Sequence, residues 1–278
     1  MPFRQKVKTI FSKISVLMKE RELIPVSHLV DLNQLLSQRV AIITGGSGGI
    51  GYAIARSYIE SGAQVIITGT NKEILQRCCS ELGDKAAYIV LNLKETGSFR
   101  MKVEEAASIF GKIDILVNSA GAFSTQNDFL YVDEEEYDNI MDINLKGTYF
   151  FSQAVANYMV YNKFKGHILI ISSQSALEPA WSPYRLSKWG IKGITLGMAQ
   201  QLLPHGIVVN AIAPGPTATK MQCYNEGNSI QTSGNPAGRY AMPDEIAVYA
   251  KYFVSSLGDM VVGDTIYISG GRGIIDMR

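Results

Sequence analysis

Val40-Ala41-Ile42-Ile43-Thr44 runs directly into Gly45-Gly46-Ser47-Gly48-Gly49-Ile50-Gly51, and helical periodicity follows at once. The first five residues are apolar or β-branched without alternation, as in a strand covered on both faces. The glycine run satisfies Gly-x-Gly-x-x-Gly from Gly46 and Thr-Gly-x-x-x-Gly-x-Gly from Thr44. Glycine suits such a turn because a side chain would keep the backbone from a pyrophosphate and the helix from the strand. The helix then presents unpaired N–H groups and partial positive charge to an anion. Strand, glycine loop and helix together predict a dinucleotide site that uses Gly45, Ser47, Gly48, Gly49, Ile50 and Gly51.

The pattern repeats outward from this unit. Further strand-like runs occupy 65–68, 86–91, 113–118, 168–172, 207–213 and 265–269, and helix-length amphipathic stretches fill 49–61, 71–82, 97–110, 133–161, 184–202 and 243–256. Strand–helix alternation predicts an α/β fold, a doubly wound parallel sheet of about seven strands with helices on both faces. Residues 38–278 read as one such domain, and the Gly-, Pro-, Asn- and Ser-rich stretch 215–240 reads as a lid. Before it, Phe3, Val7, Ile10, Phe11, Ile14, Leu17 and Met18 recur at helical steps among Arg4, Lys6, Lys8, Lys13 and Lys19. Residues 1–37 therefore read as an amphipathic basic helix and linker, suited to packing on the body or a sister subunit, to an anionic membrane surface, or to a frayed extension.

Composition narrows the classes. With a net charge of +1 and 18% charged residues, no polyelectrolyte field argues for nucleic acid. Cys78, Cys79 and Cys223 make neither a disulfide framework nor a zinc spacing, and His28, His167 and His205 lie far apart, so no metal is expected. No apolar run is long enough to span a bilayer and no signal-peptide core is evident, which points to a cytoplasmic protein.

The second strand carries the cofactor choice. A carboxylate at its end would bond the ribose 2′-hydroxyl of NAD(H), but Thr68-Gly69-Thr70-Asn71-Lys72 holds none before Glu73. Thr70, Asn71 and Lys72 can instead donate to a 2′-phosphate, which favours NADP(H). The lack of arginine there keeps NAD(H) as the alternative.

Past the middle, Ile171-Ser172-Ser173 is followed by Tyr184-Arg185-Leu186-Ser187-Lys188. Tyrosine and lysine at this spacing share a helix face. A free phenol titrates at about 10, and an adjacent ammonium together with an oxidised nicotinamide would lower that value. Tyr184 would then trade a proton with a carbonyl or alcohol oxygen. A serine at the preceding strand's end can fix the same oxygen.

These motifs, with Asn118-Ser119-Ala120-Gly121, Asn144-Leu145-Lys146-Gly147 and Asn210 to Thr219, resemble the short-chain dehydrogenase/reductase family of compact Rossmann enzymes over residues 38–274. The resemblance implies a tetrad: Tyr184 as acid/base, Ser173 orienting the carbonyl, Lys188 on the nicotinamide ribose, and Asn144 holding a relay water. It also implies that Asn92 and Leu93 meet the adenine, that Asn118, Ala120 and Gly121 border its ribose, and that Pro214, Gly215, Thr217 and Thr219 seat the nicotinamide amide. A homotetramer or homodimer is implied as well. Departures from the family are Ser119 for a second Asn, Asn92 for an Asp, Ser269 for an Asp, and only 11 residues from Ser173 to Tyr184, shorter than the family mostly shows. Ser172 is the alternative to Ser173.

Gln174, Glu178 and Trp181, with Gln222, Tyr224 and Asn225 of the lid, are expected to edge the pocket of a small-molecule substrate and lean toward a sugar-like one. A 3-oxoacyl-thioester reductase, a non-catalytic NADP(H)-binding regulator, and a sugar-nucleotide epimerase or dehydratase are the alternatives. The complete tetrad argues against the regulator, and the short stretch after residue 269 against the epimerase.

Overall fold

The computed structural model describes residues 31–124, 128–225 and 227–275. Residues from Leu32 onward form one compact unit, and the basic helix read before residue 25 lies outside the described residues. Leu36 is fully buried in this unit and its N–H bonds the Ser61 carbonyl at 2.9 Å.

Seven strands form one parallel sheet: β1 (Val40–Thr44), β2 (Gln64–Gly69), β3 (Ala86–Val90), β4 (Ile115–Asn118), β5 (Gly166–Ile171), β6 (Ile207–Pro214) and β7 (Thr265–Ile268). The order is β3-β2-β1-β4-β5-β6-β7, so the chain reverses direction across the sheet between β1 and β4. Open parallel sheets bind ligands at such a switch point, beyond the strands' carboxyl ends.

Side chains alternate across the pleat, so each strand supplies two cores. Ile42, Ile66, Leu116, Ile168 and Val209 face α3 (Phe99–Phe110), α5 (Thr148–Tyr161) and α6 (Pro183–Leu202). Ile43, Ile67, Val117, Leu169 and Ile212 face α1 (Gly49–Glu60), α2 (Lys72–Leu82) and α7 (Pro243–Phe253). This is why the strands read as unbroken apolar runs.

One expected element differs. The stretch 133–161 is three pieces: α4 (Glu134–Met141), a π-helical turn Asp142–Gly147, and α5. Gly147 permits the turn to press on the loop after β3, since a Cβ there would lie 2.6 Å from the Leu93 carbonyl oxygen. Helical periodicity does not reveal a one-residue insertion of this kind, and such turns concentrate at functional sites. Asn144 sits within it.

His167 of β5 pins the sheet from below. The Arg39 guanidinium donates to its Nδ1 at 3.1 Å, so the proton lies on Nε2, which faces Asp259 at 3.1 Å. Burial and then the Arg39 charge outweigh Asp259 and hold the imidazole down at about 4. The folded state therefore binds fewer protons than the unfolded chain between the ordinary value and about 4. Stability present above pH 6.5 is lost as pH falls toward 4, on the order of 2–3 kcal/mol. In His167→Gln, which keeps one acceptor and one donor, denaturant unfolding at pH 7 and pH 4.5 should show a smaller acid loss than the wild type. An identical loss in both proteins would assign the acid lability elsewhere.

Candidate active site

Beyond the carboxyl ends of β1 and β4 opens a cleft of about 1420 Å³. Its floor is the glycine loop. Gly45 has φ +65°, and a Cβ on it would lie 2.8 Å from Ala120 Cα; one on Gly51 would strike the Gly45 carbonyl oxygen. The Thr44 hydroxyl receives the Ser119 and Ala120 N–H groups, each at 3.2 Å, which ties the loop after β4 to the loop after β1. The result is a bare backbone cradle at the start of α1, fitted to a pyrophosphate. Gly51→Ala should weaken nicotinamide-nucleotide binding at least about tenfold, or ~1.4 kcal/mol, in a fluorescence titration. Undiminished affinity would show that the close approach at Gly51 does not matter.

Gly45, Ser47, Gly48, Gly49, Ile50 and Gly51 all line this cleft, as do Thr70, Asn71, Asn92, Leu93, Ala120 and Gly121. So do Pro214, Gly215, Thr217 and Thr219. Thr219 packs over the loop, its Cγ2 2.6 Å from where a Gly49 Cβ would stand. Two of the expected amides are partly engaged: the Asn71 Oδ1 caps α2 by accepting the Ile74 N–H, which leaves its Nδ2 donor, and Asn92 donates to Glu95 and accepts the Lys94 N–H. Lys72 does not line the cleft, whereas Arg77, one turn further along α2, does.

Asn118 is corrected from the reading of its motif. It is buried beneath the cleft, outside its lining, and donates to the Ser152 hydroxyl at 2.8 Å. It ties β4 to α5. Of this motif, Ser119, Ala120 and Gly121 line the cavity.

At the far end, Ser182 and Pro183 start α6. The Ser182 hydroxyl accepts the Arg185 N–H, and Pro183 stands where the first helical N–H has no partner. The first two turns of α6 bring Tyr184 and Lys188 to the cleft beside Ser173. Ser172 and Ser173 both line the cleft; Ser173 is the one that acts on the Tyr184 phenol, and the Ser172 hydroxyl is buried with no hydrogen-bond partner among the described residues, which favours Ser173 despite the short spacing. Ser173 also donates to Gln174 Oε1 at 2.9 Å and caps the 3₁₀ turn Gln174–Leu177. The Tyr184 ring packs on Phe123, centroids 4.7 Å apart.

Lys188 is buried and, among the described residues, carries no acidic partner. Its ammonium bonds the Ile171 carbonyl oxygen at 3.2 Å and lies 5.5 Å from the Tyr184 ring centroid. Burial lowers its pKa to about 8. The expected depression of the Tyr184 phenol is not what the protein without cofactor has. Burial raises it, and the Ser173 hydrogen bond and Arg185 charge offset that only in part. Sequence spacing brings in the neighbouring charge but not the dry surroundings, and here the latter win.

Asn144 lies behind the cleft, outside its lining. Its Oδ1 accepts the Ala122 N–H at 2.7 Å, and its Nδ2 donates to the Ala122 carbonyl and the Ser187 hydroxyl. Ser187 in turn donates to the Tyr184 carbonyl at 2.7 Å, so the π-helical turn braces the first turn of α6.

Of the expected pocket edge, Gln174, Trp181, Gln222 and Tyr224 line the cleft, while Glu178 and Asn225 do not. The Glu178 carboxylate is taken up by Arg185 and Arg272, each at 2.8 Å. Both arginines face the cleft and went unread. For Arg185 the only signal was its place beside Tyr184, and for Arg272 its place after Gly270-Gly271. Among the described residues no cluster suits a metal, and no helix is long and apolar enough to cross a membrane.

Residues 39–228 match the family described as short chain dehydrogenase. The chain is 34% identical over 243 residues to the 3-oxoacyl-(acyl-carrier-protein) reductase of Rickettsia bellii, covering 85% of this chain and 97% of that one. It is 31% identical over 247 residues to a 3alpha-hydroxysteroid dehydrogenase of Mediterraneibacter gnavus, covering 85% and 97%. Among solved structures it resembles the 3-ketoacyl-(acyl-carrier-protein) reductase of Brucella melitensis complexed with NADH, with a TM-score of 0.79, 29% identity, and 86% and 99% coverage. With the glycine cradle at the switch point and the Ser173–Tyr184–Lys188 cluster beside it, these matches mean that the chain belongs to the short-chain dehydrogenase/reductase family, oxidoreductases that bind a nicotinamide nucleotide and act on CH–OH and ketone groups.

Proposed function

We propose that this protein is an NADP(H)-dependent reductase of a polar, hydroxylated, sugar-like ketone, with Tyr184 as the proton donor. The convergence of the Tyr184 phenol, the Ser173 hydroxyl and the Lys188 ammonium at one end of the dinucleotide cleft carries this reading. The bound nucleotide supplies the hydride. Ser173 and Tyr184 hold the substrate oxygen, and the Tyr184 hydroxyl gives up its proton as negative charge develops there. Lys188 holds positive charge beneath the pair and is available to the ribose. Asn144 is a positioning residue, acting through Ser187 and Ala122. Burial keeps Tyr184 protonated near neutrality, the state that reduction needs.

NADP(H) is supported by the missing carboxylate after β2, by Thr70 and Asn71 in the cleft, and by Arg77 close by. The sugar-like substrate rests on Gln174, Trp181, Gln222 and Tyr224 in the lining. A second reading, a 3-oxoacyl-thioester reductase, is favoured by the activity named for the relatives. We further propose a cytoplasmic homotetramer or homodimer. The free thiols support the compartment. Exposed Tyr149 and Phe150 on α5 and Trp189 and Leu196 on α6 support the assembly.

Absorbance assays with NADPH and NADH in parallel, against hydroxylated ketones and 3-oxoacyl thioesters, test this reading. NADPH oxidation should match added ketone mole for mole and run faster than with NADH. A flat trace across the panel would overturn it.

A further inference from the structure

Among the described residues, six basic side chains line the cleft (Arg56, Arg77, Arg185, Lys188, Lys220 and Arg272), against two acidic ones, Glu81 and Asp244. Both acids are engaged. Asp244 pairs with Arg56 at 2.6 Å, and Glu81 accepts from Tyr52 at 2.9 Å and lies 4.0 Å from Arg77. At the other end, Arg185 and Arg272 share the single carboxylate of Glu178. Glu178 is outside the lining, whereas Arg185 and Arg272 belong to it with Tyr184, Ser173 and Trp181.

The trio is held from several elements. Arg185 Nη1 also donates to the Pro179 carbonyl at 3.3 Å, and the guanidinium stacks 4.7 Å from the Trp181 ring. Arg272 Nη1 donates to the Gly234 carbonyl of the lid at 3.2 Å. None of these bonds uses the Nη2 group of either arginine. Burial would raise the Glu178 carboxyl, but Arg272 and Arg185 outweigh that and hold it below its ordinary value, so it stays charged. Two guanidiniums and one carboxylate leave one positive charge on a braced, partly desolvated frame. Its match is a monoanion with planar acceptors.

We propose that Arg185 and Arg272, coupled through Glu178, form an anion clamp that selects ketone substrates carrying a carboxylate. The clamp rests on the reading of the Tyr184 end as the substrate end. It narrows the polar substrate to an oxo acid.

Binding separates the clamp from the chemistry. The full chain loaded with NADP⁺ can bind an oxo acid but cannot reduce it. Calorimetric titration with α-, β- and γ-oxo carboxylates and their methyl esters should show one acid binding at least about tenfold tighter than its ester, the scale of a charge-assisted hydrogen bond. The ratio should collapse in Arg272→Met and in Arg185→Met and persist in Arg272→Lys, with melting temperatures reporting the fold. Equal binding of every acid and ester would overturn the clamp, as would a ratio preserved in folded Arg272→Met and Arg185→Met. NADPH assays on the same pairs then isolate the reductase reading. Acid-selective binding without NADPH consumption sinks the reductase and leaves the clamp standing, whereas turnover of acids and esters alike sinks the clamp alone.

Discussion

Tyr184→Phe should lower NADPH-dependent ketone reduction by about 10²–10⁴-fold, the usual worth of a positioned general acid, while nucleotide affinity stays at the wild-type value. The substitution removes one oxygen and keeps the ring against Phe123 and above Lys188, so the cleft retains its shape. Ser173 remains as a hydrogen-bond donor but has no proton to surrender at neutral pH. The pH profile gives a second reading. Burial raises the Tyr184 phenol above its ordinary value, so the donor stays protonated through neutrality. Wild-type reduction should therefore be flat in this range as far as Tyr184 governs it, and fall on the alkaline side as the phenol ionises. Alcohol oxidation, which needs the phenolate, should rise over the same interval. Steady-state rates across pH with both nucleotides decide the point, and a Phe variant with full rate would remove Tyr184 from the chemistry.

Lys188→Met carries two effects of opposite sign. Activity should drop by about 10²-fold or more, as when a donor aimed at developing negative charge is lost. Stability without nucleotide should rise. The wild-type ammonium is buried without an acid and titrates at about 8 rather than 10.5, a penalty on the order of 3 kcal/mol at neutral pH. Losing the bond to the Ile171 carbonyl returns about 1 kcal/mol, so a net gain of about 1–2 kcal/mol is expected. The sign with pH follows from the lowered value: between about 8 and 10.5 the unfolded chain keeps a proton that the folded chain gives up. The penalty is complete below pH 8 and lifts as pH rises toward 10.5, so the gap between the two proteins should close there. Tyr52, Tyr58 and Tyr184 are raised and pull both proteins the other way at alkaline pH, which makes the difference between the unfolding curves the proper readout. A variant less stable than the wild type at pH 7 would mean that the ammonium is not a burden on the fold.

Much of the architecture was legible along the chain. The glycine loop and its flanking strand and helix declare themselves because close backbone approach and two-sided burial leave marks on consecutive residues. The seven strands fall within about two residues of the expected runs, and the cleft-lining residues from Gly45 to Thr219 follow from their positions after strand ends. The misreadings share a cause. Glu178 read as a pocket residue because its partner Arg272 lies 94 positions away. Asn118 read as a cofactor contact, yet its side chain turns inward to Ser152. The π-helical turn around Asn144 is a single-residue change of register inside a helical pattern that runs on either side.

The sequence by itself determined the order of strands and helices, the dinucleotide cradle, and the pairing of Tyr184 with Lys188 on one helical face, because these depend on periodicity and on sterics between near neighbours. Only the tertiary structure shows that burial raises the Tyr184 phenol and strips Lys188 of its solvation, and that Arg185 and the far-off Arg272 converge on Glu178. Desolvation and long-range charge depend on everything that packs around a group, and that is settled only when the chain has folded.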